Sequence, residues 1–129
     1  MLRSRRLPPA GVLCLLLYCT AAVGEEPKST VQVHIDFGDG FEKRYTALAW
    51  EEGMTVLDAM QAAARHPHGI RFAHSGEGKT AFLSAIDDVA NEGAERNWIY
   101  HVNQDRGDRS IGVKTLSIND VVRWKFGPD

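Results

Sequence analysis

Hydrophobic and polar residues alternate from residue 30 to 37, with Val31, Val33, Ile35 and Phe37 on one side and Gln32, His34 and Asp36 on the other. A period of two marks a strand with one buried face. Gly38-Asp39-Gly40 supplies the left-handed residues of a tight hairpin. Residues 41–50 should then return antiparallel, with Phe41, Lys43, Tyr45, Ala47 and Ala49 sharing a face. After the turn Glu51-Glu52-Gly53-Met54 the period changes. Thr55 can cap a helix while Asp58, three residues on, reaches back to it. Val56, Leu57, Met60, Ala63 and Ala64 form its apolar stripe. His66-Pro67-His68-Gly69 ends it, because proline cannot continue a helix and glycine permits the exit.

Beyond the helix the pattern returns to short strands. Ile70-Arg71-Phe72 leads into a glycine-rich stretch at 75–80, read as a flexible loop, and a strand follows at 81–86. Asp87-Asp88 and Asn91-Glu92-Gly93 mark turns. Residues 98–102 alternate again, with Trp98, Tyr100 and Val102 on one face, and 103–110 is polar and loop-like. Residues 111–118 read as containing a short edge segment. Asn119-Asp120 turns into a last strand at 121–126, with Val122, Trp124 and Phe126 on its apolar side. The order is a hairpin, one helix and several short strands. It predicts an α+β domain of the β-grasp, ubiquitin-like kind, with one helix across a mixed sheet.

The first two dozen residues differ from the rest. Arg3, Arg5 and Arg6 precede an uncharged run of 14 residues, 10–23, after which Glu25-Glu26-Pro27-Lys28 turns abruptly polar. A basic start, a short apolar core and a small-residue exit make a secretory signal peptide. The run is shorter than the ~20 residues a spanning helix needs. Cleavage is placed after Gly24, with Ala22 the alternative, which leaves a domain at 25–129. Ser4-Arg5-Arg6-Leu7 only partly matches a twin-arginine signal, and Tyr18 before Cys19 argues against a lipoprotein site. The expected location is secreted, periplasmic or in the cell envelope.

Cleavage changes the charge. The whole chain carries 15 basic and 17 acidic residues. Without the three N-terminal arginines the balance is 12 against 17, a net −5. An acidic domain is a poor ligand for a phosphate backbone, so nucleic acid is excluded as a partner. Cys14 and Cys19 leave with the signal, so no disulfide scaffold, thiol enzyme or cysteine-ligated zinc module is expected. No membrane span is expected after cleavage.

The chain offers little catalytic chemistry. Residues 73–80, ending Gly78-Lys79-Thr80, loosely match a phosphate loop, but a strand rather than a helix should follow and the domain is too short for a nucleotide fold. His66, His68 and His74 fall within nine residues and form a weak metal candidate without a helically spaced carboxylate. No Gly-x-Ser-x-Gly elbow is present. The chain is read as a non-enzyme. Trp98, Tyr100 and Trp124 lie on strands that can be neighbours, either filling the core or, with Leu83 and Ser84, offering a ligand platform.

Four segments together resemble one family: Thr55-Val56-Leu57-Asp58-Ala59-Met60, Phe82-Leu83-Ser84-Ala85-Ile86-Asp87, Trp98-Ile99-Tyr100-His101-Val102-Asn103, and Leu116-Ser117-Ile118-Asn119-Asp120-Val121-Val122-Arg123-Trp124. In order and spacing they are similar to the transcobalamin-like C-terminal domain, a β-grasp module of unknown function on exported bacterial proteins. The resemblance implies a lid that closes over a corrinoid. It places candidate ligand contacts at Leu83, Ser84, Trp98 and Tyr100. Asp88, Gln104 and Asn119 stand where that family has turn glycines, which alters loop shape.

Three functions follow. The first is an interaction module docking to another exported protein or a surface polysaccharide through an edge strand or the loops at 73–80 and 103–110. The second is a module for a corrinoid or similar cobalamin-like small molecule, with no other cofactor. The third is a metal enzyme resting on the three histidines alone. The free-standing acidic domain favours the first.

Overall fold

The computed structural model describes residues 29–128; the expected signal peptide at 1–24 and its cleavage point lie outside them. The first strand, β1 (Thr30–Asp36), buries Val31, Val33 and Ile35 completely. It pairs antiparallel with β2 (Glu42–Ala49). Gly38 and Gly40 both have positive φ, and the Phe37 amide donates to the Phe41 carbonyl at 3.0 Å across the loop. A Cβ on Gly38 would stand 2.6 Å from the Phe126 carbonyl oxygen, so the turn needs glycine for space as well.

One expected face of β2 is wrong beyond Tyr45. Val33 lies opposite Tyr45 but Val31 lies opposite Leu48, so β2 carries one extra residue between the two pairs. That bulge reverses the alternation. Tyr45 and Leu48 therefore face the core, while Ala47 and Ala49 are exposed.

Helix α1 (Val56–Arg65) begins as the sequence predicts. The Asp58 amide donates to Thr55 Oγ1 at 3.2 Å, and the Thr55 amide donates to the Asp58 carboxylate at 2.9 Å. Its buried stripe is Val56, Ala59, Met60 and Ala63. Leu57 and Ala64 are only half-buried, because the i, i+3, i+4, i+7 row that meets the sheet runs through Ala59. Residues 111–118 form turns, not the expected edge segment. Their carbonyls face the helix start, where Val56 and Leu57 donate to Lys114 and Ile111, and Thr55–Thr115 is a single isolated bridge. Backbone groups turned toward a helix end cannot also build a ladder.

The remaining elements are β3 (Phe72–Ser75), a 3-10 turn (Gly78–Thr80), β4 (Phe82–Ile86), β5 (Val89–Ala90), β6 (Asn97–Val102), β7 (Asp105–Arg106) and β8 (Val121–Gly127). They complete a five-stranded sheet, β2-β1-β8-β6-β7, and a three-stranded sheet, β3-β4-β5. The β1–β8 pair is parallel and every other pair antiparallel. The fold is thus a mixed α+β arrangement of one helix and two sheets. Part of each loop expected at 73–80 and 103–110 is strand. Left-handed backbone falls at Asp87, Asn103 and Asn119, so at two of the three altered turns the residue before Asp88 or Gln104 carries the strain. No helix among the described residues is long and apolar enough to cross a membrane.

Both sheets and α1 share one core, which runs from Tyr45, Met60 and Ile86 to Trp98, Val122 and Phe126.

Candidate functional site

The β6–β8 register sets Tyr100 beside Trp124 and Trp98 beside Phe126 on the buried side of the large sheet. The Tyr100 and Trp124 rings are 5.2 Å apart, and Trp98 packs 5.3 Å from Phe126 and edge-on to Phe37 at 5.4 Å. Leu83 reaches the same region from β4 and is also buried. Leu83, Trp98 and Tyr100, together with Trp124, line a cleft of about 220 Å³ between the two sheets. The rings are core by burial, and their accessible edges form the cleft wall.

Ser84 does not join them. It is the extra residue at a register shift in β4, where Ala73 lies opposite Ala85 and His74 opposite Leu83, and its hydroxyl donates to the Ala73 carbonyl on β3 at 3.1 Å, outside the cleft lining.

Asn91 fastens the cleft together, a role its place in a turn sequence did not reveal. Its Nδ2 donates to the Leu83 carbonyl at 2.9 Å and its Oδ1 accepts from the Trp98 amide at 2.7 Å. Its own amide donates to Ser84 O at 2.9 Å. One side chain thus spans β4 and β6, where the two sheets meet. The Trp98 indole N–H donates to the Val89 carbonyl at 2.8 Å, adding β5 to the junction.

The far wall comes from residues 107–111. The Tyr100 hydroxyl donates to the Arg109 carbonyl, and burial raises the phenol's pKa above its ordinary value. The Gly107 amide donates to Tyr100 O at 2.8 Å, and a Cβ at Gly107 would overlap the Tyr100 ring. Ser110 Oγ lies 2.7 Å from the Gly78 carbonyl and 2.8 Å from that of Ala81. The glycine-rich stretch at 75–80 is therefore a pinned turn, and β4 rather than a helix follows it.

The cleft's polar and apolar groups are unequal. The Trp124 indole nitrogen is buried with no hydrogen-bond partner, in a side chain only 3% exposed overall. An N–H left in that state carries a desolvation cost that an acceptor relieves. Phe82 stands at the lip, 61% exposed, and Arg109 lines the opposite rim. Such a site can hold one apolar or aromatic group.

Two of the three histidines are neighbours, but the three do not form a metal site. His66 follows the helix and its Nδ1 accepts from the His68 amide at 3.0 Å, with the two rings 6.2 Å apart. His74 stacks on Phe72 in β3 at 5.7 Å. No three histidine, cysteine or carboxylate side chains among the described residues come together as a metal-holding group. Asp87 instead serves as a tie between sheets. Its carboxylate accepts from Lys43 Nζ at 2.8 Å and from the Arg71 amide at 3.0 Å. Burial favours the protonated form, but Lys43 and the Arg71 amide outweigh it and hold the pKa below the usual carboxylate value.

A family model described as a domain of unknown function (DUF4430) matches residues 53–128. That span contains α1, the small sheet, β6 to β8 and every residue lining the cleft. No curated protein matches the chain.

Proposed function

The chain belongs to the DUF4430 family, and on that premise we propose that it is an exported, non-enzymatic docking module. Its partner is another exported protein or a surface glycan, from which one ring or apolar side chain enters the cleft formed by Leu83, Trp98, Tyr100 and Trp124. A cleft walled by the edges of Trp98, Tyr100 and Trp124, with Phe82 61% exposed at its lip, carries this reading. Size supports it: at about 220 Å³ the cleft falls below the roughly 300–1,000 Å³ of sites that enclose a whole small molecule. A cleft of this size suits a protruding group of something larger.

A second reading keeps the transcobalamin-like likeness and the β-grasp arrangement. A hairpin, a helix and a last strand parallel to the first support that arrangement. The module would then meet the edge of a corrinoid, with Phe82 and Arg109 at the contact.

Amide and indole NMR spectra, recorded with added methyl glycosides, N-acetyl aromatic amino-acid amides and cyanocobalamin, separate the two. Docking predicts that a glycoside or an aromatic amide at millimolar concentration shifts the Trp124 indole, Gly107 and Ser110 signals. Phe82→Ala, at an exposed position, should weaken that shift without unfolding the protein. Saturation by cyanocobalamin at micromolar concentration, lost in Phe82→Ala, would favour the corrinoid reading. Silence of the cleft signals toward every probe sinks both.

A further inference from the structure

The five-stranded sheet has a second face, turned away from the core and from α1. Directly opposed residues in a sheet point to the same side. The register therefore carries one lateral row across all five strands. Arg44 on β2 lies opposite His34 on β1, and His34 opposite Arg123 on β8. Arg123 lies opposite His101 on β6, and His101 opposite Arg106 on β7. Their strand neighbours Val33, Val122, Tyr100 and Val102 point into the core, so the row faces outward across β1, β8 and β6, and Arg106 at its end on β7 also reaches the cleft. It contains three arginines and two histidines and no acid. At about 4.8 Å between strands, the four intervals make a track roughly 19 Å long.

Several features give this track a preferred occupant. Arginine binds carboxylate and sulfate in a fork of two hydrogen bonds, and a straight series of such forks matches a polymer with regularly repeated anions. The outward positions of the central strands, Gln32, His34, Asp36, Ile99, His101, Arg123 and Lys125, include no Phe, Tyr or Trp on which a nucleobase could stack. On the adjacent row Asp36 and Glu42 border the track at β1 and β2, and Lys125 adds a further positive charge at β8. Arg44 and Glu42 pair at 3.3 Å with both side chains largely exposed, a contact weak enough for a polyanion to displace. His34 Nε2 contacts Gln32 Oε1 at 2.8 Å, which fixes the ring at the second position of the row.

We propose that the outward row Arg44–His34–Arg123–His101–Arg106 is a binding track for a linear acidic polysaccharide bearing uronate or sulfate groups. Its central residues His34, Arg123 and His101 lie on the face opposite the core, and only its end at Arg106 also lines the cleft.

The test is affinity electrophoresis of the purified protein through gels containing polygalacturonate, neutral dextran or single-stranded DNA. Polygalacturonate should retard it, dextran should not, and the retardation should fade as salt rises. Arg44→Gln with Arg123→Gln should weaken the retardation about tenfold, the product of two exposed charge contacts. Arg65→Gln with Lys79→Gln removes the same net charge from the helix and the 78–80 turn and should leave it unchanged. Melting temperatures of both double variants check that they fold; if the arginine pair does not, Arg123→Gln alone carries the comparison. Equal weakening by the two pairs would reduce the effect to net charge and overturn the track. Absence of retardation by polygalacturonate, or tighter retention by DNA, would overturn it as well.

Discussion

At the scale of single residues, the molecule relies on polar side chains placed where two sheets touch. Asn91 satisfies a strand carbonyl and a strand amide that belong to different sheets and have no backbone ladder between them. Asn91→Ala would strand both, at a cost of about 1–3 kcal/mol, visible as a lower urea midpoint. Asn91→Asp keeps the acceptor for Trp98 but turns an anion toward Leu83 O, so it should not rescue. The Lys43–Asp87 pair gives a prediction with a sign. The folded pKa of Asp87 lies below its unfolded value of 3.8, so its ionised form stabilises the fold at all pH above that value. The contribution is lost as pH falls through the folded pKa. Lys43→Met should accordingly be less stable than the parent at pH 5–7, and the gap should close in acid below about 3.8. A gap that stays constant from pH 7 to pH 2 would mean that Lys43 acts through packing alone.

At the scale of elements, what could be read in advance was whatever depends on neighbours in the chain. The hairpin at Gly38-Asp39-Gly40 and the helix opened by Thr55 and Asp58 are local signals, and both formed as expected. The capping pair is correspondingly open to direct test. Thr55→Ala removes the acceptor for the Asp58 amide and should cost about 1 kcal/mol, while Thr55→Ser should recover most of it. The bulge in β2 had no such signal: nothing in Tyr45-Thr46-Ala47-Leu48 says that an extra residue will fall there until Val31 and Val33 choose their partners. The same applies to residues 111–118, whose apolar residues suggested a strand but whose carbonyls meet the helix start. The site was legible to the same extent. Leu83, Trp98 and Tyr100 came together because each lies on the apolar side of a patterned strand. Ser84 falls at a register shift in β4 that only its pairing with β3 reveals, and Asn91, Gly107 and Ser110 could be recognised only from the contacts they make across the fold.

At the scale of the whole molecule, the decisive feature is that the first strand lies inside the large sheet, second of its five strands. β1 has β2 on one side and β8 on the other, and the β1–β8 pair joins the two ends of the described chain. Residues 53–128, the span matched by the family model, contain neither β1 nor β2. A fragment limited to that span would expose the edge of β8 and the core side of Trp124 and Val122. It would also lose the fully buried Val31, Val33 and Ile35. Burying each such side chain is worth about 1.5–3 kcal/mol, so the three together approach the ~5–15 kcal/mol that holds a typical domain folded. The fragment should therefore show no cooperative urea transition and a collapsed amide spectrum, whereas residues 29–128 should unfold in a single step. Adding a peptide of residues 29–52 should restore dispersed signals in proportion to its concentration, because strand and sheet then meet by binding rather than by loop closure. A fragment that melts cooperatively by itself would place the stability of the fold in α1 and the β4–β6 junction, and would make the hairpin an attachment rather than a structural centre.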